Sequence, residues 1–392
     1  MPAHPRFIDL HVLQSVPFSN LNRDDTNSVK TVLYGNVLRT RVSSQSWKRA
    51  TRERFQQLSG HGARRTRRVG EAVTKELTKR DWPVLTAQRA GAHVAAGSSI
   101  KFELDKEDGK PVPNGVLTNA MIYVPSTAVA ELADLAETHR AAIENAKDIK
   151  KPSDKSVLPL DAVEAILRDR NPVINLFGRM LAEIDRAGVD GAVQVAHAMT
   201  THATDVELDY FTAVDDFSQA WGDESGSAHM GHTEYTAGTF YRYATVDLDA
   251  LTTNLGNDHA LAHTLVRDFL DAFALSLPQA KKNSTAAQTI PHLVHIVARA
   301  DRPVSYAAAF EQPVRAAEHG GHAAPSVKTL ADYAHAVTSF LGDQHVLHRA
   351  WASPDYKDID GLGERADSLS ALLTAAVTAG LPRPAASGEA GQ

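Results

Sequence analysis

The sequence predicts an α+β fold, and three observations predict it. Segments with apolar residues three or four apart are interleaved with β-branched runs, yet no regular βαβ period connects them. The composition is that of a globular protein, 43% hydrophobic and 22% charged. At 392 residues the chain is long enough to bury a large core in two or three structural units. It contains no cysteine, which excludes disulfides, thiolate metal sites and cysteine nucleophiles. No apolar run reaches the roughly 18–20 residues of a membrane span. Met1 to Arg6 leads into no apolar h-region, so no secretory signal is read and a soluble, cytoplasmic protein is expected.

The elements follow in order. Phe7 to Leu13 alternates loosely and reads as a first strand, with a polar loop over Gln14 to Asn27. Lys30 to Val42 holds a second strand with a turn at Gly35-Asn36. Ser43-Ser44 opens a helix from Gln45 to about Leu58, closed by Gly60, with Trp47, Ala50, Phe55 and Leu58 inward. His61 to Arg68 reads as a basic loop. Val69, Val73 and Leu77 mark a helix, Ser98–Leu104 and Asn119–Val124 strands, and Ser126 caps a further helix. Asp148 to Pro159 reads as a linker. Asp161 starts a helix that Asn171-Pro172 interrupts. Val193–His202 and Thr239–Leu248 read as strands, and the Gly/Ser/His stretch between them as a protruding hairpin. Asp258 caps a strong helix, Leu293–Ala298 is a strand, and Val327 to Leu341 a helix. Residues from Pro382 onward are Pro/Ala/Gly-rich and expected to be disordered.

Charge is unevenly placed. Residues 1–90 hold 17 Lys+Arg against 7 Asp+Glu, whereas the remainder holds 24 against 40. Between Arg39 and Arg68 stand ten basic residues and one acid, Glu53. Arg39 and Arg41 lead into Ser43, Ser44, Gln45 and Ser46 at a helix start, followed by Lys48, Arg49 and Arg52. Free N–H groups and hydroxyls there, with cations beyond, suit an extended chain of phosphates better than one phosphate. A capped and solvated amphipathic helix is the bland alternative.

Histidines number 18, and His229/His232, His292/His295, His319/His322 and His345/His348 share an H-x-x-H spacing, with His259/His263 four apart. None has the glutamate and third ligand of a helical zinc site, so no metal is expected. Asp24 and Asp25 offer hard oxygen ligands for magnesium, but a loop held by Asx turns that displays Arg23 explains them better. Asp215-Asp216 reads the same way. No P-loop, nucleophile elbow or dinucleotide fingerprint is present.

Six blocks, in order, carry a resemblance: Phe7–Leu13, Leu21-Asn-Arg-Asp-Asp25, Arg41-Val-Ser-Ser-Gln-Ser-Trp-Lys-Arg-Ala50, Leu176-Phe-Gly-Arg-Met180, Phe211–Asp216 and Gly226–Met230. They resemble the CasC family, the repeating backbone of the type I-E CRISPR surveillance complex Cascade, as far as about Phe310. The C-terminal third adds little.

The resemblance implies a modified RRM-like (ferredoxin-like) palm over 1–60, 190–203 and 237–381. It implies mostly helical fingers inserted over 61–189, and a β-hairpin thumb inserted over 204–236. Residues 382–392 are left as a tail. It further implies a non-catalytic subunit without cofactor, several copies of which polymerise along the spacer of a CRISPR RNA and present its bases to a target DNA strand. Other Cascade subunits (large, small, guide-end-capping and guide-processing) would be partners, and a membrane would not. Implied RNA contacts are Arg23, Lys30, Arg41, Ser43, Gln45, Lys48, Arg49 and Arg52 in the palm, and Arg65 and Arg68 in the fingers. Phe211 and Thr212 would form the thumb wedge, with Met180 as its apolar prop. Lys281 and Asn283 would act in a later loop, where Lys282 departs from the family's glutamine. The alternatives are a metal-dependent RNase of the same superfamily using Asp24 or Asp25, and a pleckstrin-like module for a small phosphate ligand.

Overall fold

A computed structural model describes residues 6–213 and 229–381. The expected disordered tail, the hairpin tip and Asp215-Asp216 lie outside the described residues. From the N-terminus, strands β1 (Phe7–Ser19), β2 (Thr31–Tyr34) and β3 (Val37–Val42) lead into helix α1 (Ser44–Ser59). Next come β4 (Ala63–Thr66), α2 (Val69–Lys79), α3 (Val84–Ala95), β5 (Phe102–Glu107), β6 (Lys110–Thr118) and β7 (Ile122–Pro125). Helices α4 (Ala128–Thr138), α5 (Arg140–Glu144), α6 (Leu160–Arg168) and α7 (Pro172–Phe177) follow. Then come β8 (Val193–Val195), β9 (Ala198–Thr200), β10 (Glu207–Ala213), β11 (His229–Asp247), α8 (Leu248–Asn254), α9 (His259–Leu275) and α10 (Lys282–Thr285). The chain ends with β12 (Leu293–Arg299), α11 (Ala323–Leu341), β13 (Val346–Ala352), β14 (Glu364–Arg365) and α12 (Leu369–Gly380). The fold is α+β. No helix among the described residues is long and apolar enough to cross a membrane.

The chain divides into two compact units, one of residues 1–55, 193–249 and 258–392, the other of 56–192 and 250–257. The first is built on a ten-stranded sheet in the order β14-β13-β12-β1-β11-β9-β3-β2, with β8 and β10 also paired to β11. Pairing is antiparallel except between β13 and β14. Strand β1 is central, running against β11 from Phe7↔Asp247 and against β12 from Phe7↔Arg299. Both its faces are buried, because helices cover both. Leu13 packs with Tyr241, Tyr306, Leu330 and Trp351 under α11, while Ile8 on the other face meets Gly380 of α12.

The second unit packs α2, α3, α4 and α6 with the β4–β7 and β5–β6 pairs around Val73, Leu77, Ile122, Leu132 and Val163.

Several sequence expectations need correction. Strand β1 runs on to Ser19 instead of yielding to a loop at Gln14, because its polar side chains find partners. Gln14 donates to the Thr289 carbonyl at 2.8 Å, and Ser15 meets the Thr239 hydroxyl at 2.8 Å. The expected basic loop at 61–68 contains β4, which pairs with β7. Leu58 is 45% exposed rather than inward. Helix α4 starts at Ala128 behind Thr127, with no side-chain cap from Ser126. The stretch 148–159 forms no helix or strand, yet Ile149 and Leu158 are buried and Asp148 pairs with Arg89 at 2.9 Å. It is packed chain, not a free linker.

Candidate nucleic-acid interface

Strand β3 and helix α1 set the centre of the site. Strands β2 and β3 join through Gly35 and Asn36, both at φ 60°, the two-residue turn that suits a twisted hairpin. At the other end of β3, Ser43 caps α1. Its hydroxyl accepts from the Ser46 N–H at 3.2 Å, and its own N–H donates to Asn22 Oδ1 at 2.8 Å. The inner face of α1 holds Trp47, Ala50, Thr51 and Phe55. Trp47 lies under the buried Arg242 guanidinium at 3.9 Å. Arg242 in turn donates to Gln14 Oε1 at 2.6 Å and to the Phe273 and Ala274 carbonyls, and burial pulls its pKa down to about 9. With the helix anchored this way, Gln45 and Arg49 stand exposed outside it and Lys48 and Arg52 half-buried. Arg49 reaches Glu53 at 2.9 Å, and Arg54 is tied to Asp271 of α9 at 2.7 Å.

One member of the basic track is not available to a ligand. Arg39 is fully buried, and its guanidinium donates to the carbonyls of Tyr34, Thr200, Phe310 and Glu311 at 2.7–3.1 Å. Its charge serves the fold. Arg41 differs. Its Nη1 lies 3.1 Å from His197 Nδ1, which also accepts from the Ser44 N–H at 3.1 Å. Burial first, then Arg41 and Lys30, hold the His197 pKa below its ordinary value. An acceptor at Nδ1 and two cations nearby both favour the neutral imidazole. Sequence reading missed His197, since its partners lie 153 and 156 residues away.

The loop between β1 and β2 supplies the second part. Asp24 Oδ1 accepts from the Thr26 hydroxyl at 2.8 Å and from the Thr26 and Ser28 N–H groups at 2.9 Å each. These bonds, the Thr26 hydroxyl foremost, lower its pKa. The loop is thus an Asx turn, and Arg23 is displayed from it with Nη1 2.8 Å from Asn27 Oδ1. The third part is the α9–β12 loop. Lys281 sits at φ 55°, and its carbonyl accepts from the Ser284 and Thr285 N–H groups at 3.1 Å, which turns Lys282 and Asn283 outward. A groove of about 330 Å³ joins the three parts, lined by Asn22, Arg23, Ser46, Arg49, Gln279 and Ala280 among others.

Strands β10 and β11 form a hairpin from Glu207↔Tyr235 to Ala213↔His229. Phe211 faces Gly231, and its ring covers that glycine so closely that an added Cβ would lie 2.7 Å from Cζ. Phe211 is nevertheless 45% exposed, and Thr212 beside it is exposed. In the second unit Arg65 stacks over Tyr123 at 4.9 Å, Arg68 pairs with Asp105 at 2.9 Å and Glu71 at 3.3 Å, and Met180 is 91% exposed. Arg68 is therefore committed within its own unit. Of the spaced histidines, His292 pairs with Asp355 at 2.5 Å and His295 is buried against the Ala350 carbonyl. No three His, Asp or Glu side chains gather as metal ligands among the described residues.

Residues 8–375 match the family described as CT1975-like protein. The chain belongs to the CT1975-like family. A solved chain from a "CRISPR RNA-guided surveillance complex, pre-nicking" is 42% identical, with a TM-score of 0.86 over 96% of this chain and 100% of that one. A second, from a "CRISPR RNA-guided surveillance complex", is 38% identical, with a TM-score of 0.77 over 95% and 99%. No curated protein matches the sequence. The expected kinship with Cascade proteins is borne out.

Proposed function

We propose that this CT1975-like protein is the CRISPR RNA-binding backbone subunit of a Cascade-type surveillance complex in antiviral defence. Several copies polymerise along the guide spacer in the cytoplasm and leave its bases free to pair with target DNA. In this reading the first unit is the palm, with the hairpin over 204–236 as its thumb, and the second unit supplies the fingers.

The observation that carries the reading is the meeting of three distant stretches of chain around one groove, each bringing donors to its rim. Arg23 lines it from the first loop, Ser46 and Arg49 from α1 with Glu53 beside them, and Gln279 from the late loop; Lys30, Arg41, Lys48, Arg52, Lys281 and Asn283 belong to the same three stretches. Such a rim holds sugar-phosphate without reading sequence, as a carrier of changeable guides requires. The hairpin has a different part. Residues 204–236 contain eight acidic residues and no Lys or Arg. It therefore repels phosphate and meets bases by stacking, with Phe211 and Thr212 as the wedge. Base–aromatic stacking is worth about 1–3 kcal/mol per base.

The subunit has no catalytic step in this account. Asp24, one of the two residues an RNase would use, spends one carboxylate oxygen on its own loop.

The test is co-expression with guide RNA and partner subunits. K48A/R49A/R52A removes three cations from α1, one exposed and two half-buried, and leaves Trp47 and Phe55 in place. It should purify folded, with the 260/280 nm absorbance ratio of protein alone. Undiminished RNA retention and assembly would refute the reading. Target RNA cleaved with magnesium and spared by Asp24→Ala would replace it with the RNase.

A further inference from the structure

The hairpin and the first loop are joined by one side chain that no sequence motif marks. The Glu234 carboxylate accepts from the Val29 N–H at 2.8 Å and from the Ser28 hydroxyl at 3.2 Å. Its carbonyl accepts from Asn20 Nδ2 at 3.1 Å, and the same amide reaches the Asn27 carbonyl at 3.4 Å. Asn20 is fully buried. Around this point the root of the hairpin is fixed on both sides. Thr40, Thr204 and Thr236 share buried hydroxyl bonds of 2.8–2.9 Å, and the Phe18 and Tyr235 rings lie 4.5 Å apart.

We propose that Glu234 is a positioning residue that locks the wedge-bearing hairpin to the phosphate-holding loop, so that wedge and rim engage the guide at a fixed spacing. The inference rests on the reading above. Glu234 pairs with Leu208, three register positions from the Phe211↔Gly231 pair. At about 3.4 Å per residue, Phe211 stands roughly 10 Å along the strand from the carboxylate. A loosening of about 20° at the root moves it about 3.5 Å, on the order of the spacing of successive nucleotides, which is about 3.4 Å along a strand of duplex DNA. A slack joint therefore shifts the wedge by one base, while a firm one keeps it in register. Asp24 completes the lock. Its Asx turn sets the Ser28 N–H, and the adjacent Ser28 hydroxyl and Val29 N–H point to Glu234. Arg23 and Lys30 flank this same turn, so the lock reaches the cations that hold the backbone.

The lock depends on acceptor position and not on charge, which two substitutions separate. Glu234→Gln removes the charge, keeps one acceptor oxygen for the Val29 N–H, and places an amide NH2 against the Ser28 hydroxyl, which can turn to accept from it. Glu234→Asp keeps the charge and withdraws the oxygens by one methylene. Complexes of each, co-expressed with guide RNA, are probed for the chemical reactivity of every guide base, alongside RNA retention and thermal melting. The wild-type complex should show regularly spaced reactive bases. E234Q should keep that pattern, and E234D should blur its contrast severalfold while retaining RNA and melting near wild type. An unchanged pattern in E234D overturns the proposal, as does a pattern lost equally in E234Q. If E234D melts low, Ser28→Ala takes its place and should blur the pattern partially, and an unblurred pattern there overturns the proposal too. Failure of the underlying reading looks different: the wild-type complex would hold no RNA, or would show no regular pattern at all.

Discussion

Arg39 and Arg41 stand two positions apart on β3 and have opposite fates. In sequence they are indistinguishable, since both are cations before the same Ser-Ser-Gln-Ser start. What separates them is distant chain, because Arg39 meets carbonyls 161 and 271 residues away whereas Arg41 meets an exposed histidine. Sequence displays charge but not partners, so the run of cations was legible as a set, and the burial of one member was not. The distinction is measurable. Arg39→Ala leaves buried carbonyls without donors, each costing about 1–3 kcal/mol, so its urea unfolding free energy should fall by about 3 kcal/mol or more. Arg41→Ala should stay within about 0.5 kcal/mol of wild type and instead lose guide RNA at lower salt. Equal destabilisation by both would mean that Arg41 too belongs to the core. Glu234 and His197 were illegible for the same reason, since each acts through backbone groups that the fold brings from elsewhere.

Elements with strong periodicity were legible, and those built from small residues were not. The fours of α2, α9 and α11 stand out because Val, Leu and Phe alternate with charge. Helix α3 buries Ala87, Ala90, Gly91 and Ala92, which give little contrast, and β6 carries Pro111, Pro113 and Gly115. The hairpin was legible as a hairpin, but its Phe211–Gly231 contact was not. Gly231→Ala should displace the Phe211 ring, leave stability within about 1 kcal/mol, and weaken stacking on guide bases. A fluorescent base analogue at the displaced position would register the change, and an unchanged signal would mean that Phe211 is not the wedge. Buried histidines in and beside the central sheet carry a pH dependence of their own. Burial lowers the pKa of His295 to about 3 and of His202 to about 4, and lowers that of His11 as well. The unfolded chain therefore binds protons that the folded sheet refuses, and stability falls as pH drops from about 6.5 towards 4. Asp9 opposes this. Its burial raises its pKa to about 6, so the folded state takes its proton first and gains stability over the same descent. Three histidines outweigh one carboxylate. The urea midpoint should fall below pH 6.5, and His295→Gln should flatten the profile; an equally steep profile in that variant would clear His295 of the effect.

At the scale of the molecule, the split between a basic first 90 residues and an acidic remainder was the first functional signal. It is strong because long-range fields do not depend on the details of side-chain contact. In the proposed reading, the cations of the first 90 residues hold the long anion and the acidic remainder of the chain repels it. If the rim repeats by adding copies side by side, the length of RNA must set the number of copies. Lengthening the guide spacer should then raise the mass of the purified assembly in whole steps, each of 42.3 kDa plus the RNA that one protomer covers. Native mass measurement over a series of spacer lengths reads this directly. A mass that follows only the added RNA would show that the rim holds RNA without polymerising, and a 1:1 complex at every length would favour a module for a small anionic ligand. Stepwise growth has a further consequence for salt. Each protomer contributes its own phosphate contacts, with an exponent of about −0.7 per neutralised phosphate of a single strand, so longer assemblies should release RNA over a sharper salt interval than short ones.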